Sequence, residues 1–180
     1  MKNMMTELPS MLRFATFVLA CVASTGVASA QAASFTIFGP RCQPTIAPEL
    51  PLSAVTLPRI GTTFTLRTDG SWQSFASSGT TLFLIGDSRT RWGALPLPFD
   101  MSALSSVGLR YYCTLQVAPS IVFALPVRQG ARAPFDVQLP IPAQSSLVGV
   151  RVYQQSHMFL FGIGEVEAIA SQGGEAVIGL

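Results

Sequence analysis

Thirteen prolines interrupt this 180-residue chain, and they are the feature that most limits how it can fold. A proline lacks the backbone N–H that helices and sheet ladders use, so it is confined to loops, strand ends and sheet edges. Long helices are therefore excluded, and we expect an extended, irregular arm over residues 40–58. The prolines that mark loop entries or strand ends are Pro40, Pro44, Pro48, Pro51, Pro58, Pro96, Pro98, Pro140 and Pro142.

Short apolar or alternating runs between these breaks predict β-strands. Apolar and polar residues alternate in Phe64-Thr65-Leu66, as in a strand with one buried face. Residues 82–85 are continuously apolar and predict a strand that lies in the middle of a sheet or is covered on both faces. Residues 102–107, after Asp100, are the only place for a single helical turn. The predicted strands are residues 35–38, 63–67, 81–85, 112–118, 121–125, 135–139, 147–154, 158–162, 165–170 and 176–180.

These runs predict an all-β fold. Two packed antiparallel sheets bury such half-apolar strands most economically, so we expect a single antiparallel β-sandwich domain over residues 31–180. Immunoglobulin-like and jelly-roll strand orders both remain open.

The first thirty residues read as a cleavable signal peptide. Lys2 and Arg13 supply positive charge, and residues 14–23 form an apolar stretch shorter than the ~20 residues of a spanning helix. Small residues at Ala28 and Ala30 predict cleavage after Ala30, with secretion or periplasmic residence and no transmembrane span in the mature chain. Lipid attachment at Cys21 is the alternative, but the residues before it fit that signal poorly.

Cys42 and Cys113 are the cysteines that the mature chain keeps. An exported chain meets an oxidising compartment, where two thiols usually form a bridge, so we predict a Cys42–Cys113 disulfide. A metal site would need more ligands than these cysteines and His157 supply, and no cofactor motif is present, so no metal and no cofactor are expected.

Charge gives no indication of a nucleic-acid partner. Removal of the signal peptide takes away Lys2 and Arg13 of the eleven basic residues and Glu7 of the nine acidic residues. The mature chain therefore has a net charge of +1. The remaining arginines are scattered along the chain rather than clustered.

In order, the runs resemble an uncharacterised family of exported bacterial β-sandwich domains, of planctomycete and myxobacterial type, whose function is unknown. The resemblance covers nearly all of the mature chain, implies the same β-sandwich module and supports the Cys42–Cys113 pairing, but it brings no reaction or ligand. Tyr112 departs from the family's usual Gly, and residues 155–161 replace its usual Asp and Asn. The pieces are Phe35-Thr-Ile-Phe-Gly-Pro-Arg-Cys42, Pro58-Arg-Ile-Gly-Thr-Thr-Phe-Thr-Leu66, Leu82-Phe-Leu-Ile-Gly-Asp-Ser88, Leu95-Pro-Leu-Pro-Phe-Asp-Met101, Cys113-Thr-Leu115, Phe135-Asp-Val-Gln-Leu-Pro-Ile-Pro142, Leu147-Val-Gly-Val-Arg-Val-Tyr-Gln154 and Gly174-Glu-Ala-Val-Ile-Gly179.

An enzymatic hypothesis comes from Gly86-Asp87-Ser88, which resembles the nucleophile segment of Gly-Asp-Ser esterases. His157 is the only available base, but Gln154 stands three residues before it, where such enzymes place the orienting Asp. Those enzymes are also α/β proteins. We therefore favour a turn at Asp87-Ser88 and a loop position for His157.

A binding hypothesis rests on Trp92, which follows Arg89 and Arg91 in an apparent loop and could face a sugar or anionic ligand. We favour the alternative interpretation, in which Trp92, like Trp72, covers one end of the core. We expect a non-enzymatic structural, adhesion or ligand-binding module of the cell envelope or extracellular space. Its partner is unknown, and the candidates are a glycan and an envelope protein. A secreted esterase that uses Ser88 and His157 is the alternative.

Overall fold

The computed structural model describes residues 31–40, 42, 50–69, 78–106, 109–111, 113–127, 134–161 and 166–180. The predicted signal peptide, Cys21, Trp72 and Tyr112 lie outside the described residues, as do residues 41 and 43–49 of the expected arm over residues 40–58. Leu52–Ala54 of that arm form a strand rather than irregular structure. Among the described residues, no helix is long and apolar enough to cross a membrane.

The described residues form fourteen strands and two short 3-10 turns, Met101–Leu104 and Ser145–Leu147, so the predicted all-β fold is confirmed. The strands are β1 (Ser34–Phe38), β2 (Leu52–Ala54), β3 (Thr63–Asp69), β4 (Ser78–Gly86), β5 (Arg91–Trp92), β6 (Leu95–Pro96), β7 (Phe99–Asp100), β8 (Leu109–Tyr111), β9 (Thr114–Leu115), β10 (Ile121–Val127), β11 (Pro134–Pro140), β12 (Arg151–Phe161), β13 (Val166–Ala170) and β14 (Gly173–Val177).

A seven-stranded sheet, the large sheet, is built around β12. One edge of β12 pairs with β4, and β4 pairs with β10. The other edge pairs first with β14 and then with β13. Strand β1 joins β14 in antiparallel order, whereas β8 joins β13 in parallel, which adds a parallel pair to the expected antiparallel arrangement.

The small sheet has the order β11-β3-β2 and packs on one face of the large sheet. Phe64 and Leu66 of β3 are buried against Phe83 and Ile85 of β4, while Thr65 between them is only half-buried. The predicted alternation in β3 is therefore confirmed, and two packed sheets make the sandwich. Burying these apolar side chains is the main force that holds the two sheets together.

Residues 87–106 and 113–118, which we call the covering segment, lie over the opposite face of the large sheet. Leu84 packs there against Leu97, Leu115 and Ala118, while its neighbours Phe83 and Ile85 face the small sheet. Strand β4 is thus buried on both faces, as its continuous apolar run predicted.

The covering segment and the preceding arm are joined by the Cys42–Cys113 disulfide, which confirms the predicted pair. The two Cα atoms are 5.1 Å apart across a sequence separation of 71. Cys42 and Cys113 are both buried, next to Met158 and Ile169 of the large sheet.

The predicted helical turn after Asp100 is present as Met101–Leu104. The Asp100 carboxylate caps this turn by accepting a 2.8 Å hydrogen bond from the backbone N–H of Ser102. Hydrogen bonding to Ser102 holds the pKa of Asp100 below its usual value.

Several predicted strand boundaries were wrong. The two strands expected over residues 147–154 and 158–162 are one strand, β12, which begins at Arg151. His157 therefore lies at the centre of a sheet and not in a loop. Gln154, Gln155 and Ser156 are also buried. Their polarity led to the prediction of a loop between two strands, whereas the structure has one continuous strand. The expected strand over residues 112–118 shortens to β9, and the last strand ends at Val177.

Candidate ligand-binding site

The candidate site begins at the turn that follows β4. The Oγ of Ser88 accepts hydrogen bonds from the backbone N–H groups of Thr90, at 3.2 Å, and Arg91, at 3.3 Å. This is the turn predicted for Asp87-Ser88, in which the serine oxygen satisfies the backbone. The Ser88 hydroxyl is therefore used in local structure.

The turn leads into a small hairpin, formed by β5 and β6, which carries Trp92. Arg91 pairs with Pro96 and Trp92 with Leu95 across this hairpin. Gly93 at its tip has φ +57°, a left-handed conformation that favours glycine. The Trp92 residue is 50 % exposed, which contradicts the favoured interpretation that it covers an end of the core. A ring held on a hairpin tip in this way is available for contact with a partner.

A groove of about 360 Å³, which we call the Arg89 groove, runs beside the base of this hairpin. The base is closed by a 2.9 Å hydrogen bond from the backbone N–H of Leu97 to the Thr90 carbonyl. Apolar groups of Phe38, Pro40, Leu97 and Pro98 line the groove, and Arg89, Thr90 and Gln116 add polar groups.

Gln116 fixes the arrangement of the groove. Its side-chain N–H groups donate to the Pro40 carbonyl at 2.9 Å and to the Thr114 hydroxyl at 3.3 Å. Its side-chain oxygen accepts from the backbone N–H of Gly173 at 3.1 Å. Because the whole amide is engaged, Gln116 holds the groove together but offers little to a ligand.

An ion triad borders the same region. The Glu175 side chain is only 8 % exposed and forms salt bridges with Arg151 and, at 3.3 Å, with Arg89. The Arg89 guanidinium also lies over the Phe38 ring, 5.2 Å from its centre, and Phe38 meets Tyr153 edge-on at 6.1 Å. Two cations share one carboxylate, so the triad carries a net positive charge.

Sequence reasoning identified Arg89, Arg91 and Trp92 but missed Glu175, Arg151 and Phe38. The available signal for Glu175 was its place as the single acidic residue in the otherwise uncharged run over residues 173–180. A carboxylate buried in a strand needs a partner of opposite charge. Arg91 is exposed, and its Nε donates to the Gly93 carbonyl at 3.2 Å, so it stiffens the hairpin rather than joining the triad.

The structure does not bring Ser88 and His157 together. His157 lies opposite Leu82 on β4, whereas Ser88 comes two residues after β4 ends at Gly86. Since a strand rises ~3.3 Å per residue, His157 is level with a point about 13 Å from the end of β4. Burial also lowers the pKa of His157 to about 4. This geometry gives the esterase hypothesis no support.

No family model, curated protein or solved structure matches this chain. The resemblance to exported bacterial β-sandwich domains accordingly stays a prediction. Within the described ranges, no group of three or more His, Cys, Asp or Glu side chains is placed to hold a metal ion.

Proposed function

We propose that this protein is an exported, non-enzymatic β-sandwich module that binds a glycan at the β5–β6 hairpin and the Arg89 groove. Trp92 is the observation that carries the proposal. An indole ring combines a large apolar face with a polar N–H, and this combination makes Trp common at surfaces that a partner covers. Sugars present apolar C–H faces that stack on such rings.

Export is part of the proposal. The Cys42–Cys113 disulfide is compatible with an oxidising compartment, and the N-terminal residues have the three zones of a signal peptide. Intact mass of the protein from the exported fraction tests this. A mass that starts at Gln31, with two alkylated thiols only after reduction, supports export with cleavage after Ala30, and a lipidated mass that starts at Cys21 contradicts it.

Binding is tested on an array of neutral and acidic oligosaccharides with purified wild-type protein and the Trp92→Ala variant. We expect wild type to bind at least one glycan and Trp92→Ala to bind it about tenfold or more weakly, with an unchanged melting temperature. Trp92→Phe, which keeps an aromatic face, should retain part of the binding.

Leu104→Ala is the matched control, because Leu104 is 53 % exposed and lies on the 3-10 turn rather than on the hairpin. It should bind as wild type does. Absence of wild-type binding to every glycan would contradict the proposal, and so would equal binding by Trp92→Ala and wild type.

A further inference from the structure

We infer that the Arg89 groove selects a saccharide that carries a carboxylate, a uronic acid, and that Arg89 is the residue that binds this group. The inference rests on the proposed function and specifies the chemical class of its ligand.

The ion triad carries a surplus of positive charge. Glu175 is buried and can neutralise one positive charge, yet both Arg89 and Arg151 contact it. The Arg89 and Arg151 side chains are 46 % and 59 % exposed, respectively, so the surplus positive charge is accessible from solvent. An anionic ligand that reaches the triad would complete its neutralisation.

The position of the Arg89 guanidinium suits it to bind a carboxylate. One guanidinium nitrogen contacts Glu175, and the guanidinium lies over Phe38. In the described part of the chain, the other N–H donors of Arg89 have no partner. Glu175 and Phe38 hold the guanidinium in place before any ligand arrives, so little side-chain entropy is lost on binding. A guanidinium edge matches the two oxygens of a carboxylate.

The walls of the groove are mainly apolar. Phe38, Pro40, Leu97 and Pro98 give it an apolar lining suited to a sugar ring, and the amide of Gln116 is already occupied. The main unsatisfied polar group that the groove presents is therefore a cation. A neutral sugar could use the apolar walls but would leave this cation without a counter-charge.

The experiment compares trigalacturonate with its methyl ester, which has the same rings without the negative charges. Titration calorimetry at low salt should show wild type binding trigalacturonate about tenfold or more tightly than the ester, because hydrogen bonds to charged groups are the stronger ones. Added salt should reduce this preference. Arg89→Gln should remove the preference, whereas Arg67→Gln should keep it, since Arg67 pairs with Asp136 on the small sheet.

Arg151→Gln is a second test, which can still be made if the Arg89→Gln variant does not fold. It removes the surplus charge while leaving the Arg89–Glu175 contact, so it too should lower the preference for trigalacturonate. Equal binding of the acid and the ester by wild type would overturn the inference and leave the proposed function intact. Absence of binding to both would overturn the inference as well, and the Trp92 array experiment then decides the proposed function separately.

Discussion

Gln155 and Gln116 join the central strand of the large sheet to the covering segment. The side-chain oxygen of Gln155 accepts a 2.9 Å hydrogen bond from the backbone N–H of Gln116. The Gln155 side-chain N–H groups donate to the carbonyls of Thr114, at 2.9 Å, and Ser171, at 3.0 Å. Since Gln116 in turn holds Pro40 and Gly173, these two buried amides fix the base of the Arg89 groove.

Replacing Gln155 with Met should destabilise the protein strongly. Met is close to Gln in shape, but it would leave the Gln116 N–H and two carbonyls buried without partners. Each such group costs about 1–3 kcal/mol, so we expect a loss of roughly 3 kcal/mol in the free energy of unfolding in urea. Gln138→Met, at an exposed position of β11, is the control and should change little. Equal stabilities of the two variants would show that the buried amide is not needed.

His157 should make the protein sensitive to mild acid. Its pKa is about 4 in the folded state because the ring is buried, whereas the ordinary value is 6.5. The unfolded chain therefore takes up the proton first, so the free energy of unfolding should be constant above pH 6.5, fall between pH 6.5 and 4, and level off below. The total loss is about 3 kcal/mol.

Urea unfolding at a series of pH values measures this effect. The carboxyls of Asp100 and Asp136 have lowered pKa values, so their contributions are lost at lower pH than that of His157. His157→Leu should flatten the curve between pH 6.5 and 4. A variant curve that falls as steeply as the wild-type curve would assign the acid sensitivity to another group.

The sequence predicted features that depend on neighbouring residues along the chain. Burial of β4 on both faces followed from its continuous apolar run, and the Ser88 turn followed from short polar side chains after a strand. The buried run over residues 154–157 was misread because its partners are distant. Gln155 bonds to Gln116, 39 positions away, and Ser156 to Ser171, 15 positions away.

The residues of the candidate site were also predictable only where they are neighbours along the chain. Arg89, Arg91 and Trp92 were found because they are neighbours in one loop. Glu175 was not, because its contacts with Arg89 and Arg151 form only when β14 pairs with β12 and the turn after β4 folds back. The exposure of Trp92 could not be predicted either, because a two-residue strand has no periodicity to show which side faces solvent.

Removing the disulfide should lower stability by about 4 kcal/mol, the value that loop-closure entropy gives for a separation of 71 residues. The double variant Cys42→Ala, Cys113→Ala tests this by urea unfolding against the oxidised wild type. Reduced wild type is the second comparison and should match the double variant. A double variant as stable as oxidised wild type would show that the bridge does not constrain the unfolded chain.

Gly86→Ala should disturb the covering segment where Ala118 lies against the large sheet. A Cβ at Gly86 would overlap the backbone carbonyl of Ala118, and a 2.9 Å hydrogen bond from Ala118 N–H to the Ser88 carbonyl holds that residue in place. The backbone must shift to make room, so we expect a loss of about 1–3 kcal/mol, measured by thermal unfolding. Gly93→Asn is the control, because a Cβ there meets no atom within 4 Å and Asn tolerates its positive φ. Equal melting temperatures for both variants and wild type would show that the covering segment is only loosely attached at Ala118. The hydrogen bonds of Gln116 and Gln155 would then position the Arg89 groove on their own.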